Sequence, residues 1–134
     1  MAITQTTTDA FQAYVLTGTF YLALYTSSAT LDGSTTVYTT TNEVSGGGYT
    51  AGGVLLTLLA APATVDGITY ISFSNAVWSP ASFTARGGMI YNTAEANQAV
   101  AILDFGADKT ATNTFTVQFP AATSTTAILR VVRG

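Results

Sequence analysis

Apolar and polar positions along this chain fall into short runs, many of them alternating, separated by clusters of Gly, Ser, Thr, Asn and Asp. A two-residue period places one set of side chains on a buried strand face and the other set in water. Residues Asn113–Phe119 show it most cleanly: Phe115, Val117 and Phe119 share one face, and Thr114, Thr116 and Gln118 the other. Phe20–Thr26 (FYLALYT) is apolar on both faces, which predicts a central strand. Val54–Leu59, Ile68–Ser74, Ala76–Ser79, Ser82–Tyr91, Gln98–Phe105 and Thr126–Val132 complete the predicted strands. Asp66-Gly67 is a turn dipeptide, Pro80 closes the run that contains Trp78, and Gly106–Thr110 reads as a turn between strands.

One stretch has a different period. In Asp9–Thr17, Phe11, Tyr14 and Val15 stand at i, i+3 and i+4, which predicts a short helix laying an apolar face over one end of the sheet. Thr8 or Asp9 is its candidate N-cap, and Gly18 lies just past its end. Ser27–Thr41 reads as a long Ser/Thr/Gly-rich loop with a turn at Asp32-Gly33 and a short strand at Val37–Thr39. Ser45–Tyr49 and Gly52-Gly53 bracket a further bend. A connection from Ser27 to Gly53 is long for a compact domain, so the expectation is that a neighbouring molecule orders it. Eight or more short strands with regular turn signals predict an all-β protein: an antiparallel β-sandwich or jelly roll with one short N-terminal helix. With no repeat, linker or shift in composition, residues 1–134 read as a single domain.

Composition narrows the chemistry. A chain of 134 residues can bury a core without staples, and it has neither cysteine nor histidine. Disulfides, thiolate metal sites and cysteine nucleophiles are thereby excluded, and so are the commonest general base and transition-metal ligand. Charged residues make up 8% of the chain, against about a quarter in ordinary soluble domains. Threonine, about a fifth of the residues, replaces them. It favours strands and keeps a strand face wettable without charge. Such a surface suits partners that cover apolar area. The net charge is −3, and Arg86, Lys109, Arg130 and Arg133 are the only basic residues, a poor footprint for nucleic acid. The start of the chain has no basic, apolar signal-peptide pattern, and the longest apolar run, Val54–Ala63, is too short to span a bilayer.

The seven carboxylates, Asp9, Asp32, Glu43, Asp66, Glu95, Asp104 and Asp108, do not form a recognisable catalytic pair or calcium-loop spacing. Asp32 and Asp66 precede glycines in turns. There is no G-x-S-x-G, and Gly46-Gly47-Gly48 lacks the lysine of a phosphate loop. No catalytic residue, cofactor site or metal ligand is therefore expected. Asp104 lies in an apolar strand, and a hairpin centred near Glu95 places Arg86 opposite it. The pair is expected as a partly buried structural ion pair that fixes register or an interface. Tyr25, Tyr49 and Trp78 are the candidate interface anchors, Trp78 being read as core or interface in preference to a sugar platform.

Several segments together resemble a family of small virion structural proteins from tailed bacteriophages. They are Ile3-Thr4-Gln5-Thr6, the helix with Phe11, Leu22–Leu31, Glu43-Val44-Ser45-Gly46 and Gly48–Gly53. Further along they are Ile71-Ser72-Phe73, Val77-Trp78, Thr84-Ala85-Arg86-Gly87, Ile90-Tyr91-Asn92, Leu103–Gly106 and Asp108-Lys109. The resemblance implies a virion component without catalysis; one short domain with no shaft-forming segment favours the capsid exterior, as a decoration or cement protein, the alternative being a tail, baseplate or fibre component that binds glycans. It implies assembly in the host cytoplasm. The implied partners are the major capsid protein and further copies of the chain, as a dimer or trimer, with no nucleic acid or membrane.

Overall fold

The computed structural model describes Ile3 and residues 7–132. Its elements in chain order are helix α1 (Asp9–Val15), strands β1 (Phe20–Tyr25), β2 (Val54–Leu55), β3 (Ala63–Val65), β4 (Ile68–Ile71), β5 (Ala76–Trp78) and β6 (Thr84–Asn92), a 3-10 turn (Thr93–Glu95), then β7 (Gln98–Thr110), β8 (Phe115–Val117) and β9 (Leu129–Val132). Every strand pair is antiparallel, so the protein is all-β with one short helix, as the alternation predicts. The described residues pack as two compact units, one drawn from the segments 1–17, 57–74 and 119–134, the other from 18–56 and 75–118.

The larger unit holds a four-stranded sheet in the order β2-β1-β6-β7. β1 is central, and Leu22, Ala23, Leu24 and Tyr25 are buried, which is why its sequence is apolar on both faces. β5 and β8 form a separate pair with Trp78 opposite Phe115. Around them Tyr49, Trp78, Phe83 and Phe115 make an aromatic core with ring centroids 5.1–6.3 Å apart.

β7 is longer than its pattern predicts. The stretch Gly106–Thr110, expected as a turn, continues the strand. Gly106 takes φ +80°, a conformation glycine adopts without strain, so the chain bulges and resumes its ladder. The register passes from Gly87↔Asp104 to Ala85↔Lys109 across this bulge.

The smaller unit packs α1 with the three-stranded sheet β3-β4-β9. The helix expectation is corrected here. Thr8 is the N-cap, its Oγ1 accepting from the Phe11 N–H at 3.3 Å, and the helix stops at Val15. Phe11 and Tyr14 are 56% and 66% exposed, and Val15 is also exposed, so the predicted apolar face points to solvent. The face turned inward carries Gln12, whose amide donates to Gly67 O at 3.0 Å, Thr69 Oγ1 at 3.0 Å and Val131 O at 3.1 Å. A hydrogen-bonded amide thereby ties the helix to both the β3–β4 turn and β9, a role that hydrophobic periodicity does not register. Gly18 does not cap the helix. A Cβ there would lie 2.2 Å from the Asn92 side chain.

The run Val54–Leu59 also divides. Val54–Leu55 pairs with β1, and the Leu56 N–H donates to Phe20 O at 2.8 Å. Leu58 bridges Phe73, and the Leu59 N–H donates to Ser72 O at 3.0 Å within the smaller unit.

Replacing Gln12 with Leu leaves buried acceptors unsatisfied and is expected to cost about 1–3 kcal/mol in urea unfolding. Tyr14→Ser, on the exposed side of the same helix, is expected to change stability by less than about 0.5 kcal/mol. A smaller loss for Gln12→Leu than for Tyr14→Ser would contradict this assignment of faces.

Candidate interaction surface

The aromatic residues nominated for an interface lie inside the chain. Tyr25 is 1% exposed, Tyr49 8% and Trp78 6%, so none of them is a surface anchor. The correction follows from their strands. Tyr25 ends the doubly covered β1, Trp78 faces Phe115 across the β5–β8 pair, and Tyr49 lies between Trp78 and Phe83.

Tyr25 and Tyr49 belong to a polar network that the sequence reading missed, centred on Glu43. The Tyr38 hydroxyl donates to Glu43 Oε1 at 2.7 Å. Oε2 accepts a short hydrogen bond from the Tyr49 hydroxyl and another, at 2.8 Å, from the Gly52 N–H. The Tyr49 oxygen also accepts from the Leu24 N–H of β1 at 3.0 Å. Tyr25 donates to Thr39 O, and Tyr91 to Gly52 O, each at 2.6 Å. Glu43 itself bridges Tyr25, and the Val44 N–H donates to Leu24 O at 3.0 Å. Val37, in the short strand predicted for the loop, makes a single bridge to Gln98.

The long connection between β1 and β2 is therefore held against its own sheet by these bonds. Gly53 completes the closure. Its φ is +82°, and a Cβ there would meet Leu22 O at 1.8 Å. The partners of Glu43 reach it from Tyr38, Tyr49 and Gly52, with no spacing signal linking them, so only a search for an acid among tyrosines and glycines would have raised it.

Burial, with the Glu43 charge nearby, pushes the Tyr25, Tyr38, Tyr49 and Tyr91 hydroxyls above the ordinary phenol value.

Arg86 and Asp104 do meet, with Nε 3.6 Å from Oδ1. The ladder places Gly87, not Arg86, opposite Asp104, because Arg86 falls at the register shift. The side chains are 43% and 76% exposed, so Asp104 stands at the surface while Arg86 is partly buried, its Nε being shielded from water. The separation of the pair is too long for a hydrogen bond, and Arg86 Nε has no hydrogen-bond acceptor. Asp104 is held below the usual carboxylate range mainly by the Gly106 N–H, 2.8 Å from Oδ1, and secondarily by Arg86.

Large apolar side chains do reach the surface elsewhere. Of eleven that are exposed among the described residues, seven are in the smaller unit: Ile3, Phe11, Tyr14, Val15, Leu59, Val65 and Val132. Phe11, Tyr14 and Val15 share one side of α1, while Val65 and Val132 flank Ile68 in one cross-strand row. Side chains so exposed can bury further area against a partner. Among the described residues no three His, Cys, Asp or Glu are grouped to hold a metal, and no helix is long and apolar enough to cross a membrane. No protein-family profile, curated protein or solved structure matches the chain.

Two outcomes test the Glu43 network. Glu43→Gln puts an amide donor against groups that already donate, and is expected to lower stability by about 1–3 kcal/mol, with faster amide exchange at Gly52. Phenols whose folded pKa is raised stabilise the fold in full below the unfolded value, about 10, and lose that contribution as pH climbs towards the folded value. Urea midpoints should accordingly show no tyrosine-linked change between pH 7 and 9 and fall above about pH 10. A midpoint that rises above pH 10 would refute the network.

Proposed function

We propose that this protein is a structural component of a tailed-bacteriophage virion, a capsid decoration or cement protein that binds the outside of the shell and stabilises it. The reading rests on the sequence resemblance, and the observation that carries it is the concentration of exposed apolar side chains on the smaller unit of a charge-poor, threonine-rich chain. Apolar anchors on such a surface gain free energy when a partner covers them, and few charges have to be desolvated in doing so. The partners are the major capsid protein and further copies of the chain. Burial of Trp78 takes away the anchor for glycan binding at that residue, which weakens the fibre alternative.

Antibody labelling of tailed particles purified from cells that produce the chain tests the proposal. Label over the icosahedral shell is expected. Label confined to the tail, or no incorporation into particles, would overturn it. In reconstituted particles, Phe11→Ser with Tyr14→Ser is expected to reduce affinity for the shell at least about tenfold, since exposed aromatics are the strongest candidates for anchors.

A further inference from the structure

Strand β7 has 13 residues and stands at the edge of its four-stranded sheet. An edge of that length offers a row of backbone donors and acceptors to any extended chain, including another copy of itself. Its first residues are covered. Val37 bridges Gln98, the Tyr38 N–H donates to Asn97 O, and the Ala99 N–H donates to Thr36 O, each of these bonds being 3.0 Å. Beyond Ala99 no other strand among the described residues pairs with the outer side of β7.

This open part coincides with two features. The strand is irregular at both ends of it, with a register shift at Ile90/Tyr91 opposite Ala99–Ala101 and the bulge at Gly106. It also carries charge that the chain otherwise avoids. The whole sequence has eleven Asp, Glu, Lys and Arg residues, and Arg86, Asp104, Asp108 and Lys109 all lie on β6 and β7 around the bulge. Bulges twist an edge away from pairing geometry, and adding a strand would desolvate these charges.

We infer that the outer edge of β7 is guarded against strand addition, by the bulge at Gly106 and the charges of Asp104, Asp108 and Lys109. Copies of the chain do not join by extending this sheet. The inference stands independently of the virion proposal, since it concerns the soluble chain and would hold if particle labelling failed.

The test compares Asp104→Thr/Asp108→Thr/Lys109→Thr with Asp9→Thr/Glu95→Thr/Arg130→Thr, which removes the same number and signs of charge elsewhere. Sedimentation velocity and the infrared band of intermolecular β-structure are read for both and for the wild type. The edge variant is expected to associate at concentrations at least about tenfold lower than the wild type, with new intermolecular β-signal, while the control sediments as the wild type does. Identical behaviour of the edge variant and the wild type would overturn the inference, as would equal association of the control. Should the edge variant fail to fold by circular dichroism, amide exchange of the wild-type chain decides. Amides in Val100–Asp104 that face away from β6 should exchange equally fast in dilute and concentrated protein. Their protection at high concentration would show the edge in use and refute the proposal.

Discussion

Glu43 holds a carboxylate between two tyrosine hydroxyls and a backbone N–H, and through them it closes the connection from β1 to β2 onto the sheet. Fixing the backbone of each residue in such a connection costs about 1–2 kcal/mol of conformational entropy, and the segment has few ladder bonds to offset it. Charge-assisted hydrogen bonds are stronger than neutral ones, which gives a physical reason for a charge-poor chain to place an acid here. Tyr25 and Tyr91 extend the same arrangement, each sending its hydroxyl from the sheet to a loop carbonyl. Tyr91 also stacks on Tyr38 with centroids 4.6 Å apart, so the phenols contribute packing as well as hydrogen bonds.

Elsewhere the polar work falls to threonine. Thr64 and Thr69 share a hydrogen bond across β3 and β4, and Thr84 and Thr110 share one across β6 and β7. Such pairs satisfy one another and support strand pairing without an ion to desolvate. A surface built in this way loses less on being covered than one built from lysine and glutamate. That property, together with aromatic side chains standing out from α1, links the composition to the proposed role in an assembly.

The sequence pattern is most informative where a segment's environment is symmetric or strictly alternating. FYLALYT reads as a central strand because both its faces are apolar, and Phe115–Val117 reads as half-buried because its faces differ. It misleads where one local signal has two physical outcomes. Phe11, Tyr14 and Val15 define an apolar helix face, but periodicity cannot tell a face that packs on its own sheet from one left open. Gly106 reads as a turn because glycine permits positive φ, yet the same freedom serves a bulge inside a continuing strand.

The alternation, the missing cysteine and histidine, and the scarcity of charge were enough to determine an antiparallel β-protein with one short helix and to narrow its chemistry, since these depend on local backbone preference and on which side chains exist at all. Only the tertiary structure decided which residues are covered. It turned Gln12 inward, buried Tyr25, Tyr49 and Trp78, and gathered two tyrosine hydroxyls and a glycine N–H around Glu43. Hydrogen-bond partnership and the identity of the covering residues are properties of groups distant in sequence, fixed by strand order and register, and a period of two or of 3.6 marks a face without saying what will cover it.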